Sequence, residues 1–103
     1  MPLSPSDRIL VTGGAGFLGS FVVEVLHRKG YKNLVIPRRK EYDLTTEAEV
    51  ARLYEDSKPS AVIHLAAEVG GIGANRENPG RYFFANMAMG LHLIEHGRRV
   101  GVK

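Results

Sequence analysis

Three glycines spaced three residues apart constrain this chain more than any other feature of its sequence. Gly13, Gly16 and Gly19 lie between a β-rich run, RILVT at 8–12, and an amphipathic segment. In such a strand–turn–helix unit the first glycine permits a tight turn, the second lets backbone N–H groups approach a pyrophosphate, and the third lets the helix pack on the strand. The helix N-terminus adds N–H donors for phosphate. The spacing therefore predicts a dinucleotide-binding turn, with a plain tight turn as the alternative.

Two further apolar runs predict the remaining strands. NLVIP at 33–37 is terminated by its own proline, and SAVIHLAA at 60–67 is almost continuously apolar. Continuous apolar runs are typical of parallel strands in a sheet that is covered on both faces. The order β-α-β-α-β-α predicts an α/β fold: a partial Rossmann-like, doubly wound parallel sheet of three strands alternating with three helices.

Helical periodicity predicts the first two helices. The first follows the glycine turn and is expected to end near Gly30, and the second begins at a capping box of Thr46 and Glu49 and ends before Pro59. The apolar stripe of the first helix consists of Leu18, Phe21, Val22, Val25 and Leu26.

The third helix is expected to begin with Asn78 as its N-cap and Pro79 as its first residue, and to end near Gly97. Its apolar stripe consists of Phe84, Met87, Leu91 and Ile94. These side chains recur at helical spacing, so they are predicted to face the core.

The totals place the chain among small globular proteins. Its 103 residues suit one domain, with a flexible tail at 1–7 and the folded part at 8–103. There is no cysteine, which excludes disulfides and thiolate metal sites. No apolar run approaches the length of a membrane span, and the first residues lack the apolar region of a signal peptide. We therefore expect a cytoplasmic protein without a membrane partner.

A basic run follows the second predicted strand. Six of the fourteen Lys and Arg residues lie between His27 and Lys40, where there is no acid. Sites selective for NAD carry an acid on the ribose 2′-hydroxyl at the end of the second strand. Arg38 and Arg39 stand there instead, and guanidinium pairs well with a 2′-phosphate. The sequence thus predicts NADP(H), with an exposed basic loop as the alternative. Nucleic acid is not expected as a partner, because Tyr31 is the only aromatic residue in the run.

Four segments together resemble one family. VTGGAGFLGS, YDL, VIHLAA and GVK are similar to the extended short-chain dehydrogenase/reductase family of nucleotide-sugar enzymes, over the chain from Arg8 to Lys103. Within it, VGGIGANRENPGRYFFANMAMG resembles the branch of GDP-L-fucose synthases, which epimerise and reduce GDP-4-keto-6-deoxymannose. The resemblance implies that the first strand is central, with the third predicted strand on one side and the second on the other.

The resemblance also implies a cofactor site. Asp43 and Leu44 match residues beside the adenine, and the backbone of Ala66 and Ala67 matches a segment that passes the cofactor ribose. The cofactor-binding residues carried over are Gly13, Ala15, Gly16, Phe17, Leu18, Gly19, Arg38, Arg39, Asp43, Leu44, Ala66 and Ala67.

A second glycine-rich loop, GGIGAN, follows the third predicted strand. The resemblance implies that this loop lies on the substrate side, where glycines let the backbone lie close to a sugar ring. A plain connecting loop is the alternative. The residues expected on the substrate side are Gly70, Gly71, Gly73, Asn75 and Asn86.

No catalytic residue is predicted in this chain. The family carries a serine on a strand that follows GVK and a Tyr-x-x-x-Lys on a later helix. Both of these family positions come after Lys103. One Tyr-x-x-x-Lys does occur, from Tyr54 to Lys58, but it precedes the third strand. We interpret Lys58 as a helix C-cap and Tyr54 as a packing residue.

Two histidine patterns are interpreted as structural. His92 and His96 in HLIEH match the spacing of some zinc proteases, but no third ligand is evident, so a solvated helix face is expected and no metal site is predicted. His64, within an apolar strand, is expected to be a hydrogen-bonded core histidine.

The sequence as a whole predicts the N-terminal, NADP(H)-binding part of a GDP-L-fucose synthase-like epimerase/reductase. The resemblance implies a homodimer and a GDP-linked sugar substrate for the whole enzyme, and the isolated chain is expected to be inactive. A stand-alone dinucleotide-binding module, or a truncated non-catalytic product, is the alternative. We also expect marginal stability or association through the unpaired edge of the third strand.

Overall fold

The computed structural model describes residues 3–67 and 76–102. In this part of the chain, three parallel strands form one sheet: β1 (Ile9–Thr12), β2 (Leu34–Val35) and β3 (Ala61–His64). The strand order is β2-β1-β3, with Ile9 paired to Leu34 on one side and to Ala61 on the other. The predicted fold and the central position of β1 are confirmed.

The strands are shorter than the apolar runs suggest. β3 ends at His64. The Leu65 N–H still donates to the Thr12 carbonyl at 3.0 Å, but the N–H groups of Leu65 and Ala66 also donate to the Thr12 side chain. These hydrogen bonds bring residues 65–67 over the glycine turn that follows β1.

Three helices alternate with the described strands: α1 (Phe17–Arg28), α2 (Glu47–Ser57) and α3 (Pro79–Val100). Thr46 and Asn78 are N-caps, as predicted, but neither side chain makes a capping hydrogen bond. In place of a capping box, the Thr46 hydroxyl donates to the Asp43 carbonyl and Glu49 accepts hydrogen bonds from Arg52. None of the three helices combines the length and apolar content that a bilayer-spanning segment requires.

The end of α3 corrects the sequence prediction. The helix continues past Gly97 to Val100 and is terminated by Gly101, whose φ of 80° lies in the left-handed region. The N–H of Val102 donates to the Gly97 carbonyl at 2.8 Å and that of Gly101 to Arg98 at 3.3 Å, which is the pattern of a Schellman motif.

The described core lies between the sheet and the pair α2 and α3. Leu10 of β1 meets Val50 and Leu53 of α2, and Met89 and Leu93 of α3. Ile9 and Val11 are also fully buried. Since successive strand residues face opposite sides, they point to the other face of the sheet, where α1 contacts β1.

The predicted stripe of α3 does not face this core. Phe84, Met87, Leu91 and Ile94 are exposed, and the helix packs instead through a neighbouring face that includes Ala85. On α1 the predicted stripe holds only in part: Val22 and Leu26 are half-buried, whereas Leu18, Phe21 and Val25 are exposed. Gly19 is the one buried residue of that helix. The buried face of α3 combines small residues with Met89 and Leu93, so this helix carries apolar residues on two faces and only one of them meets the described core.

Candidate functional site

A cavity of about 540 Å³ opens at the carboxyl end of β1. It is bounded by the glycine turn, by the loop after β2 and by the segment after β3. Every residue predicted to bind the cofactor lines it: Gly13, Ala15, Gly16, Phe17, Leu18, Gly19, Arg38, Arg39, Asp43, Leu44, Ala66 and Ala67. Residues that sequence reasoning had not assigned to the site complete the lining: Pro37, Lys40, Tyr42, Thr45, Leu65 and Met89.

Close backbone contacts require two glycines, Gly13 in the turn after β1 and Gly19 in the first turn of α1. Gly13 has φ of 74°, and a Cβ there would lie 2.7 Å from the backbone nitrogen of Ala66. A Cβ on Gly19 would lie 1.9 Å from the carbonyl oxygen of Gly13. Both distances are shorter than any carbon atom tolerates, so the helix, the turn and the segment after β3 can meet only through glycine.

The start of α1 presents backbone donors to the cavity. Gly16 is the N-cap and has no side chain, so it cannot accept hydrogen bonds from the N–H groups of the first turn. The helix begins at Phe17, and its first turn contains no acidic residue. The geometry therefore favours a negatively charged group at this end of the cavity.

Thr12 joins the two backbone segments that flank the cavity. Its Oγ1 accepts hydrogen bonds from the N–H groups of Leu65 at 3.0 Å and Ala66 at 3.2 Å, and it lies 2.6 Å from Nδ1 of His64. Because both acceptor positions are occupied, the Thr12 hydroxyl donates to His64. Sequence reasoning missed Thr12, although a polar residue at the end of a buried strand is a usable signal.

His64 is hydrogen-bonded, as predicted, but it is exposed rather than a core residue. Desolvation by the protein nonetheless lowers the pKa of its imidazole. The neutral ring, with its proton on Nε2, is the form that accepts from Thr12.

The loop after β2 holds three cations at the cavity. The N–H groups of Glu41 and Tyr42 donate to the Arg38 carbonyl at 2.9 and 3.0 Å, and the Glu41 carboxylate accepts from the N–H of Arg38 at 3.2 Å. This compact turn leaves Arg38, Arg39 and Lys40 on the cavity lining. A cluster of basic side chains at this position suits a phosphate.

The Asp43 carboxylate is held by two hydrogen bonds from Thr45. Oδ1 accepts from the Thr45 hydroxyl at 2.6 Å and from the Thr45 N–H at 3.0 Å. These hydrogen bonds lower the pKa of the Asp43 carboxyl, and the charge of Arg39 lowers it further. Asp43 is therefore an ionised acceptor in an Asx-turn, next to the buried Leu44.

The predicted substrate-side residues belong to the GGIGAN loop and to α3. Gly70, Gly71, Gly73 and Asn75 lie outside the described residues. Asn86 lies on α3 and lines a second, more open cavity of about 550 Å³ with Pro79, Tyr82, Phe83 and Met87. The role of all five residues stays a prediction.

Tyr54 and Lys58 lie where the sequence predicts them, as a packing residue of α2 and as its C-cap. Tyr54 is buried, and its hydroxyl donates to the Leu93 carbonyl at 2.6 Å. Burial raises the pKa of Tyr54, which is the opposite of what a general base requires. Lys58 is the C-cap of α2, in the left-handed conformation, and donates its N–H to the Tyr54 carbonyl.

The histidines of α3 differ from the expected solvated face. His96 is largely buried; its Nε2 lies 3.4 Å from Glu47 Oε1, without hydrogen-bond geometry. In the described part of the chain, no group of His, Asp and Glu side chains could hold a metal ion.

Comparisons with known proteins agree with this geometry. The NAD dependent epimerase/dehydratase family matches residues 9–103. GDP-L-fucose synthase 1 of Arabidopsis thaliana is 38% identical over 98 residues, which is 95% of this chain and 30% of that protein.

Solved structures are similar over the same extent. The GDP-mannoheptose C4 reductase of Campylobacter jejuni with NADP bound has a TM-score of 0.92 at 27% identity, over 99% of this chain and 32% of that one. A GDP-L-fucose synthetase of Naegleria fowleri bound to NADP has a TM-score of 0.85 at 32% identity, over 100% of this chain and 31% of that one. The chain thus spans about a third of the length of the proteins it matches.

Proposed function

The chain belongs to the NAD dependent epimerase/dehydratase family, and we propose that its cavity binds NADP(H) as part of a GDP-L-fucose synthase-like epimerase/reductase. One observation carries the proposal: the glycine turn, the basic loop after β2 and the segment after β3 line a single cavity at the carboxyl end of β1. In open α/β sheets, ligands bind at this edge, where the strand order reverses.

The residues present fit each part of the cofactor. The start of α1, with the turn at Gly13 and Gly16, would hold the pyrophosphate through backbone N–H groups. Asp43 and Leu44 would flank the adenine, and Ala66 with Ala67 would pass the ribose. The absence of Cβ atoms at Gly13 and Gly19 is what lets these backbone segments meet around the cavity. Bound NADPH would supply the hydride for a reduction.

The preference for NADP(H) over NAD(H) rests on Arg38 and Arg39. Both line the cavity beside Lys40, at the end of β2, where an NAD-selective site needs an acid. Two of the similar structures are described as bound to NADP. A dianionic 2′-phosphate would gain charge-assisted hydrogen bonds from the guanidinium groups.

We propose the substrate from the relatives. The similar proteins are named as enzymes of GDP-linked sugars, so a GDP-4-keto-6-deoxy sugar is the proposed substrate class of the whole protein, converted to GDP-L-fucose. A cytoplasmic homodimer is proposed for it as well. No catalytic residue is proposed in the described part of this chain, since Tyr54 donates its hydroxyl to a backbone carbonyl.

Cofactor selectivity tests the proposal. We expect wild-type chain to bind NADPH more tightly than NADH in a calorimetric titration, and 2′,5′-ADP more tightly than 5′-ADP. The double variant Arg38→Ala/Arg39→Ala should lose about tenfold in affinity for the 2′-phosphate ligands and little for the others. The matched control is Arg28→Ala/Lys29→Ala, which removes two cations from the same basic run at the exposed end of α1. Equal affinities of the wild type for both members of each pair would contradict the NADP(H) preference.

A further inference from the structure

We infer that Arg52, on α2 and outside the cavity lining, is a positioning residue that holds the basic loop (residues 38–44) in the shape that selects a 2′-phosphate. This inference deepens the proposed function and rests on it for the identity of the ligand. Arg52 contacts the loop at Glu41 and at Tyr42, and only Tyr42 of these three residues lines the cavity. It contacts neither the pyrophosphate turn nor the segment after β3 in the described structure.

Arg52 contacts the basic loop in two ways. Its guanidinium carbon lies 4.2 Å from the centroid of the Tyr42 ring, which is cation–π distance. Its Nη2 donates to the backbone carbonyl of Glu41. Tyr42 is tied to the same helix a second time, because its hydroxyl donates to Asp56 at 2.7 Å. The loop is therefore fixed to α2 at two successive residues.

The guanidinium is itself held in place. Nε lies 3.0 Å from Oε2 of Glu49 and Nη2 lies 2.9 Å from Oε1, so the pair is bidentate, and Nη1 lies 3.7 Å from Asp56. An exposed ion pair of this kind contributes little on its own. Here the ion pair orients the Arg52 guanidinium, whose face covers the Tyr42 ring and whose edge donates to the Glu41 carbonyl. A lysine ammonium has no such plane, so it could replace the charge but not the arrangement.

The anchored residues control where the cations lie. Glu41 and Tyr42 donate their N–H groups to the Arg38 carbonyl, and the Glu41 carboxylate accepts from the Arg38 N–H. A shift of Glu41 or Tyr42 would thus move Arg38 directly. Asp43, the next residue, forms its Asx-turn within the same segment. Loss of Arg52 should therefore loosen the cationic side of the cavity and leave the glycine turn unchanged.

Hydrogen exchange of the nucleotide-free chain tests the anchoring. In Arg52→Gln, we expect the amides of Glu41 and Tyr42 to exchange about tenfold faster than in the wild type, with the amides of β1 unchanged. The matched control is Arg98→Gln, since Arg98 makes the same i,i−3 bidentate pair, with Glu95 on α3, and touches no part of the loop. Arg52→Lys should behave like Arg52→Gln, because it keeps the charge and loses the plane.

Nucleotide binding tests the consequence. Arg52→Gln should weaken binding of 2′,5′-ADP about five- to tenfold and change binding of 5′-ADP less than twofold, whereas Arg98→Gln should change neither. Unchanged loop exchange in Arg52→Gln would overturn the anchoring, whatever the nucleotide data show. Faster exchange with equal loss for both nucleotides would overturn the role in selectivity. If wild-type chain itself does not distinguish the two nucleotides, the proposed preference for NADP(H) falls and the selectivity role falls with it, while the exchange data still decide the anchoring.

Discussion

A single hydroxyl group connects the two backbone segments that border the cavity. Thr12 is fully buried and ends the central strand, and its Oγ1 receives the N–H groups of Leu65 and Ala66. Since a buried N–H without a partner is costly, this hydroxyl determines how the chain leaves β3. The same contact sets the distance between Ala66 and Gly13, which is too short for a side chain at Gly13.

Replacing Thr12 by valine should therefore destabilise the fold. Valine has the same shape but leaves the Ala66 N–H without its acceptor, so we expect the free energy of unfolding to fall by about 1–3 kcal/mol. Urea denaturation at neutral pH measures the change. Thr12→Ser keeps the hydroxyl and is the matched control, expected to retain most of the stability. Equal midpoints for the wild type and the valine variant would contradict this account.

The imidazole of His64 should make stability depend on pH. Desolvation lowers its pKa from the ordinary value of 6.5, so the unfolded chain binds a proton more readily than the folded chain. The contribution of neutral His64 is present above the ordinary value and is lost as pH falls from there through the folded-state pKa. Protonation would also turn Nδ1 into a donor, which conflicts with the Thr12 hydroxyl.

We expect His64→Gln to flatten the pH dependence of the unfolding free energy in the acidic range just below pH 6.5. The measurement is urea denaturation at a series of pH values, together with NMR titration of the imidazole. His27→Gln serves as the control, since it removes a histidine at the exposed end of α1, away from β3. A His64 titration at or above the ordinary value would show that the sign is wrong.

At the scale of elements, local chemistry made some features predictable and packing decided the others. The glycine turn and the Asn78–Pro79 helix start were predictable, because their residues have few other uses. The end of α3 was not predictable, because a glycine near the end of a helical pattern, such as Gly97, usually marks where the helix ends. Gly97 lies against the Tyr54 hydroxyl, where a Cβ would come within 3.0 Å. The helix therefore needs a small residue at Gly97 for packing, and Gly101 ends it.

The buried face of α3 was unpredictable for a related reason. Apolar residues occur on two of its faces, and periodicity alone does not say which one meets the sheet. That the predicted site residues line one cavity was predictable, since the carboxyl ends of parallel strands converge at one edge. The contribution of Arg52 was not, because it depends on a ring and a carbonyl that only the folded chain brings together.

The two left-handed helix ends give opposite predictions. Lys58 has φ of 44° and Gly101 has φ of 80°, and a side chain in this region costs about 1 kcal/mol. Lys58→Gly should therefore raise the free energy of unfolding by up to about 1 kcal/mol, and Gly101→Ala should lower it by about the same amount. A Cβ at Gly101 would meet no neighbouring atom within 4 Å, so the stability lost in Gly101→Ala would come from backbone strain alone. Thermal and urea unfolding of both variants test the pair, and a destabilised Lys58→Gly would contradict the interpretation.

At the scale of the whole molecule, the chain exposes more surface than its size requires. Its accessible area is 6836 Å², whereas a monomer of 11.3 kDa typically exposes about 5,700 Å². Its radius of gyration of 14.2 Å also exceeds the roughly 13 Å of a compact domain of this length. Several large apolar side chains of the described helices are exposed: Phe17 of α1 is 86% exposed, and Phe84 and Ile94 of α3 are 66% and 74% exposed. Water contact with such faces is unfavourable, so the chain as given should gain free energy by covering them.

We therefore expect the chain to associate as its concentration rises, through the outward face of α3. Sedimentation velocity over a wide concentration range measures this, and Phe84→Gln/Ile94→Gln should raise the dissociation constant about tenfold or more. Val100→Gln is the matched control, because Val100 is an exposed apolar residue of the same helix that lies off this stripe. Both variants remove exposed side chains, so neither should reduce the stability of the monomer by much. If the double variant associates as strongly as the wild type, the contact lies elsewhere, and the edge of β3 that no described strand covers becomes the surface to test.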